Sequence, residues 1–163
     1  MSIARRLKDY LDQQTIPYEV VTHHETHRAP ELARALHVPA NELAKVVILK
    51  IGNRFAMAVL PADLRVEVKH LRDVFQAHEV RLATEEEFRA LFPDCDLGAM
   101  PPFGNLYNME VYVDQCLTVN EKIVFQAGTY SEAVKLHYRD FPRLVRPVVS
   151  ELHAPSAWRM TGS

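Results

Sequence analysis

Residues 44–60 constrain the fold of this chain more than any other segment. Ala44-Lys45-Val46-Val47-Ile48-Leu49-Lys50-Ile51 is dominated by β-branched and aliphatic residues with a strong preference for strands. Gly52-Asn53 follows with glycine first, the order that a two-residue type II′ turn requires. Phe55 to Leu60 then returns as a second strand. Alternation along the first strand puts Lys45 on one face with Val47, Leu49 and Ile51, and Lys50 on the other with Val46 and Ile48. One face is therefore apolar except for a lysine at its beginning. Lys45 sits at the rim of the core with its ammonium aimed into an opening, or it snorkels to solvent. The pattern alone favours the second.

The remaining elements follow from periodicity and punctuation. Ile3, Leu7, Tyr10 and Leu11 recur at helical spacing and predict a helix over 3–14, ended by Ile16-Pro17. Tyr18 to Val21 reads as a short strand. Pro30 starts a helix carrying Leu32, Ala33 and Leu36 on one face, and Pro39 closes it. Residues 67–76 read as helical. Thr84-Glu85-Glu86-Glu87 is a capping box that opens a helix over 85–92. Met109 to Val113, Lys122 to Phe125 and Ala133 to Leu136 are predicted strands, with a turn at Gly128-Thr129-Tyr130 and a short helix from Tyr138 to Leu144. Strands outnumber helices, and hairpins alternate with longer crossovers. The class expected is α+β: one mixed, curved, barrel-like sheet with helices packed around it. A single domain is expected over 1–147, with 148–163 a tail that frays.

Composition removes several functions. A net charge of −2 supplies no global positive field for nucleic acid, so RNA contact needs a local patch and DNA is not expected as a partner. No apolar run approaches the roughly 20 residues of a membrane helix. The start, Met1-Ser2-Ile3-Ala4-Arg5-Arg6, lacks the apolar stretch of a signal peptide. Cys95 and Cys116 form no CxxC pair and read as thiols of a reducing, cytoplasmic compartment.

Few segments carry chemistry. Gly98-Ala99-Met100-Pro101-Pro102-Phe103-Gly104 holds two glycines and two prolines in seven positions, which suits neither a helix interior nor a central strand. It is a shaped loop that can hold a ligand against bare backbone, or an ordinary tight turn. His23, His24 and His27 cluster, but not as HExxH, and no Cys or carboxylate signature accompanies them. A solvated loop explains them better than a metal, and neither a metal nor another cofactor is expected. Gly128-Thr129-Tyr130-Ser131 presents hydroxyls and backbone donors, or is a plain turn. No nucleophile elbow, Walker loop or dinucleotide fingerprint is present.

Taken in order, Ala44–Lys50, Ala58–Asp63, Ala83–Glu87, Gly98–Gly104, Val111–Asp114 and Ile123–Thr129 resemble the YbaK / prolyl-tRNA synthetase-associated editing-domain family over nearly the whole chain. The resemblance implies a freestanding enzyme that hydrolyses the ester of mischarged aminoacyl-tRNA. The acceptor end of that tRNA is then its partner, and an aminoacyl-tRNA synthetase a further one. It puts the family's lysine on Lys45 and its G-x-x-x-P loop on Gly98 through Pro102. The implied catalytic residues are Lys45 and Gly98. The implied substrate-binding set is Lys45, Gly98, Ala99, Met100, Pro101, Pro102, Gly128, Thr129 and Tyr130.

An aminoacyl ester is already activated, so placing a water and polarising the carbonyl suffices. Lys45 would act as a point charge on the terminal phosphate or orient the substrate. A general-base role would require its pKa to fall by about three pH units through deep burial. The tRNA 2′-hydroxyl could assist instead. Many relatives carry histidine where this chain has Tyr130. Tyrosine narrows the pocket toward a small amino acid (Ala, Ser, Cys or Pro), hydrogen-bonds the ligand, or lies outside the pocket. The alternative function is a non-catalytic module that binds the tRNA acceptor end or a nucleotide.

Overall fold

The computed structural model describes residues 4–154. Ile3, expected in the first helix, and the tail after residue 154 lie outside the described residues. In chain order the elements are α1 (Arg5–Gln13), β1 (Glu19–Thr22), α2 (Ala29–Leu36), β2 (Ala44–Ile51), β3 (Arg54–Pro61), α3 (Val68–Phe75), β4 (Val80–Leu82), α4 (Glu85–Phe88), β5 (Glu110–Asp114), β6 (Lys122–Thr129), β7 (Glu132–His137), α5 (Phe141–Val145) and β8 (Val148–Ser150).

The hairpin forms as its sequence predicts. β2 and β3 pair antiparallel from Ala44 opposite Pro61 to Ile51 opposite Arg54, around Gly52 at φ +59°. The capping box at Thr84 closes reciprocally with Glu87 and opens α4. Arg81 holds the same Glu87 carboxylate through two 2.7 Å contacts. With the Thr84 N–H, it keeps that acid at about 2.

The α+β class is as expected, but the single mixed sheet is divided: among the described residues the strands form two sheets that do not close into a barrel, β1-β7-β6 and β4-β2-β3-β5-β8. A single parallel bridge, Leu43 to Val124, connects the entry of β2 to β6. Pairing does not extend further because other segments occupy the edge of β6 near its end, as described below. β4 escapes the sequence reading because three residues, Val80 to Leu82, carry too little periodicity to mark a strand.

The main core lies between the sheets. Phe103 packs against Phe125 and Phe141 with ring centroids 5.5 and 5.8 Å apart, and α1 adds Leu7 and Leu11. A second cluster lies on the opposite face of the five-stranded sheet, where α3 covers Leu49, Ile51, Ala56 and Ala58 with Leu71. A third joins α2, through Leu32 and Ala33, to Val124, Ala133 and Leu43.

The start of the tail expected to fray, residues 148–150, extends the second sheet. β8 pairs parallel with β5, and Leu152 and His153 are buried. The reason is Asp114, at the end of β5 and fully buried. Its Oδ1 accepts the Cys116 N–H at 2.8 Å. Its Oδ2 accepts the Leu152 and His153 N–H groups at 2.9 and 3.0 Å and lies 2.7 Å from His153 Nδ1. Burial alone would push this carboxyl up. His153 and the backbone donors outweigh it and hold Asp114 below its ordinary value.

Asp114→Asn should therefore cost about 2–4 kcal/mol of unfolding free energy, since it strands buried donors. The carboxylate's contribution is present above the pKa of an unfolded aspartate, about 3.9, and is lost as pH falls through the lower folded value. Urea unfolding of both proteins between pH 7 and pH 2 should show the gap closing at the acid end. A constant gap would remove Asp114 from this role.

Candidate active site

β6 carries a bulge between Gln126 and Thr129. A bulge lifts peptide groups out of the ladder and re-aims them. Here segments from outside the sheet engage them. The Gly128 carbonyl accepts from the Asp96 N–H, the Gly128 N–H donates to the Ala99 carbonyl, and the Ala127 carbonyl accepts from the Ala4 N–H, each at 2.8 Å. The Pro/Gly loop is thus joined to β6 by two bonds, and the start of α1 by one. Gly128 has φ +96°, and a Cβ there would stand 2.8 Å from the Ala4 Cβ. The predicted turn at Gly128-Thr129-Tyr130 is corrected accordingly: β6 runs through Thr129, and Tyr130-Ser131 make the turn.

Between its two anchors the loop makes a turn closed by the Ala99 N–H donating to the Asp96 carbonyl at 3.0 Å. Gly98 occupies its third position at φ +91°, as a type II turn demands. Asp96 also accepts the Tyr130 N–H through Oδ2 at 3.3 Å. Tyr130 reaches back so that its hydroxyl lies 3.1 Å from where a Gly98 Cβ would stand. Gly98 is exposed, whereas Ala99, Met100, Pro101 and Pro102 are buried, Met100 within the main core. Gly98 and its adjoining backbone are therefore the accessible part of the loop. Among the described residues, the Gly98 and Met100 N–H groups donate to no protein acceptor. Thr129 is buried and its Oγ1 has no partner among the described residues.

Tyr130 has a second neighbour. The His27 ring stacks on it, with centroids 3.9 Å apart and planes 10° from parallel. The Thr26 N–H donates to the Tyr130 carbonyl at 3.0 Å, and His23 donates its N–H to the Ser131 carbonyl at 2.9 Å. These bonds carry the chain after β1 across the turn. His27 Nε2 lies 2.8 Å from Glu25 Oε1. No local pattern singles out His27 over His23 and His24; long-range pairing alone brings it here. Burial raises the Tyr130 phenol's pKa, and Asp96, Glu85 and Glu25 raise it further, so it stays protonated at neutral pH.

Lys45 is half-buried at the beginning of β2. Its Nζ donates to the Ala62 carbonyl at 3.5 Å. Burial lowers its pKa, Arg65 adds to this, and Asp63 opposes it. Among the described residues no hydrogen bond or ion pair joins Lys45 to the loop. Its alternation partners, Val47, Leu49 and Ile51, face α3, while Met100 and Phe103 pack on the other side of that sheet. The three clustered histidines do not converge on a metal-ligand geometry. Among the described residues the His/Cys/Asp/Glu group whose ligand atoms lie within 4.8 Å of one another is Asp114, Cys116 and His153. No helix among them is long and apolar enough to cross a membrane.

The profile of the aminoacyl-tRNA editing domain matches residues 23–144. The chain belongs to that family. It is 33% identical over 114 residues to a proline–tRNA ligase of Sulfurihydrogenibium sp., covering 69% of this chain and 19% of the ligase. It is 26% identical over 87 residues to a proline–tRNA ligase of Bacillus cytotoxicus, covering 53% of this chain and 15% of the ligase. The editing-domain chain thus spans less than a fifth of the length of either relative. A solved structure named "putative trans-editing enzyme for prolyl tRNA synthetase" superposes with a TM-score of 0.82 at 21% identity, covering 93% of this chain and 97% of that one. A hypothetical protein superposes with a TM-score of 0.83 at 20% identity, covering 92% and 100%. These two likenesses establish that the editing-domain fold is shared.

Gly98→Ala should lower stability by about 1–2 kcal/mol, because alanine is strained at positive φ and its methyl group meets the Tyr130 hydroxyl. Adding Tyr130→Ala should recover the contact part of that loss and leave the backbone part. Thermal unfolding of the single and double variants checks this; a stability loss below 0.5 kcal/mol, on the order of the surface-substitution noise, would contradict it.

Proposed function

We propose that this protein hydrolyses the ester joining an amino acid to tRNA, freeing both. The observation that carries the reading is the exposed Gly98 turn with unengaged N–H donors beside Tyr130, in a chain of the editing-domain family. An ester carbonyl gains negative charge on oxygen as water adds. Fixed backbone donors stabilise that charge without reorganising, an effect worth about 2.7–4 kcal/mol per donor elsewhere. Glycine at position 98 lets a carbonyl approach such donors without a side chain between them.

The remaining assignments follow the same chemistry. Lys45 supplies a positive point charge for a phosphate of the acceptor end. Its half-burial and the nearby Arg65 favour an electrostatic role, and Arg65 adds a second positive charge. Ala99 to Pro102 hold the turn rigid from within the core. Gly128, Thr129 and Tyr130 form the opposite wall, with Tyr130 limiting the space over Gly98 to a small amino acid such as alanine, serine, cysteine or proline. An aminoacyl-tRNA synthetase is the natural supplier of the mischarged substrate.

Incubation with tRNAs charged with these four amino acids tests the reading, by release of the labelled amino acid. Release from at least one, well above buffer, is expected. Tight binding with no release from any would favour a binding module. Lys45→Ala should lower kcat/KM by about 10–100-fold, equivalent to about 1.4–2.7 kcal/mol, with an unchanged circular dichroism spectrum. Unaltered turnover would remove Lys45 from the site.

A further inference from the structure

We infer that His27 is the proton acceptor for the attacking water, oriented by Glu25 and seated on the ring of Tyr130. The inference rests on the deacylase reading and adds to it a residue that neither loop nor lysine supplies. Its basis is a geometric chain from Glu25 to Gly98. Glu25 Oε1 lies 2.8 Å from His27 Nε2. A carboxylate can only accept, so in this contact Nε2 carries the proton and Nδ1 presents its lone pair. Among the described residues, no protein donor engages His27 Nδ1. The ring is held face to face on Tyr130 at 3.9 Å and 10°. The hydroxyl end of Tyr130 lies against Gly98. A carboxylate fixing one imidazole nitrogen leaves the other to act as a base, the arrangement used to activate water or hydroxyl nucleophiles.

The imidazole is also reachable. The His27 side chain remains 57% exposed, which leaves the ring open to a bound ester and its water. The Tyr130 stack fixes the plane of a ring that would otherwise turn freely in a surface loop. His23 differs: its Nδ1 donates to the His24 carbonyl at 2.6 Å, and the Nε2 that this leaves as acceptor is buried rather than open to a ligand. The charged groups around the pair are Glu25 from its own segment, Asp96 from the loop and Glu85 from the start of α4, all acting on Tyr130. All three are acidic.

The step balances without a cofactor. As the water oxygen bonds to the ester carbonyl carbon, one water proton passes to Nδ1. As the bond from that carbon to the ribose oxygen breaks, the same proton passes from Nδ1 to the departing oxygen. The free amino acid and the tRNA hydroxyl leave, and the imidazole is neutral again.

The test uses the full chain and whichever of the four charged tRNAs it hydrolyses fastest. His27→Phe keeps a ring on Tyr130 and removes the nitrogen. It should lower kcat by about 100-fold, the scale of general-base catalysis, with KM within about twofold. It should also abolish the acid limb that an imidazole base produces between about pH 5 and 8. Added imidazole should restore part of the rate to His27→Ala. Glu25→Gln should lower kcat by about 10-fold. His24→Phe, on the same segment, should leave kcat unchanged. If His27→Phe keeps kcat within threefold and retains the acid limb, the proposal is overturned and the deacylase reading stands, with the tRNA 2′-hydroxyl the better proton acceptor. If the unaltered protein hydrolyses none of the four, the deacylase reading fails and the role of His27 fails with it.

Discussion

The bulge in β6 is the interaction on which the rest of the site depends. A regular strand would have continued its ladder to the end and left an open edge. Because the register shifts between Gln126 and Thr129, the peptide groups of Ala127 and Gly128 bind Ala4, Asp96 and Ala99. Three consequences follow from one irregularity. The start of α1 is fixed over the main core. The Pro/Gly loop is held by two backbone bonds. Tyr130 emerges from the hairpin beside Gly98. The same bulge limits the contact between the sheets, since an edge occupied by a loop cannot pair with β2 beyond the Leu43–Val124 bridge.

A second constraint acts at the other sheet. Asp114 gathers four donors at the end of β5, three of them from Leu152 and His153. A buried carboxylate persists only when its lone pairs are engaged, so its position dictates where the chain after α5 must run. β8 is the result. Its own residues, Val148 and Val149, are exposed, so burial of β8 does not explain its position. The backbone bonds of the sheet and the Asp114 contacts do. The editing-domain profile ends at residue 144, ahead of this strand.

What was legible in the sequence and what was not divide along the range of the interactions. The β2–β3 hairpin, the Thr84 capping box and the helix opened by Pro30 are set by residues a few positions apart, and all three form where local chemistry places them. The ordered set of motifs identified the family, and the mix of predicted strands and helices already pointed to the α+β class that forms. The expected single sheet is divided into two because its continuity depends on whether β2 and β6 pair along their length, and the bulge that limits that pairing has no strong local signature. Over 148–154 the expected fraying does not occur, and for the same reason this was not legible: Asp114 and His153 are 39 residues apart, and neither marks a strand on its own. At the site, Gly98, Gly128 and Tyr130 were legible and do meet. Met100, in the substrate-binding set that the resemblance implies, packs its side chain in the core, and His27, read as part of a solvated loop, is 57% exposed and also stacks on Tyr130.

The chemistry near Gly98 is further narrowed by what its neighbours are committed to. Cys95, three residues before Gly98, is the nucleophile closest to the loop in sequence. Burial pushes its thiol up to about 12, and its Sγ lies 3.3 Å from the Tyr107 hydroxyl. That hydroxyl donates to Asp94 at 2.9 Å, and the Arg6 guanidinium lies 4.7 Å from the Tyr107 ring centroid. This cluster ties α1 to the start of the loop and keeps Cys95 protonated, hence a poor nucleophile at neutral pH. Tyr130, also held protonated, is equally poor as a base. In the proposed hydrolysis such surroundings favour direct attack by water over a covalent intermediate: with the Gly98 backbone proposed for the carbonyl and Lys45 for the phosphate, only the proton needs an acceptor. The imidazole of His27, 3.9 Å from the Tyr130 ring, is the group nearest that requirement.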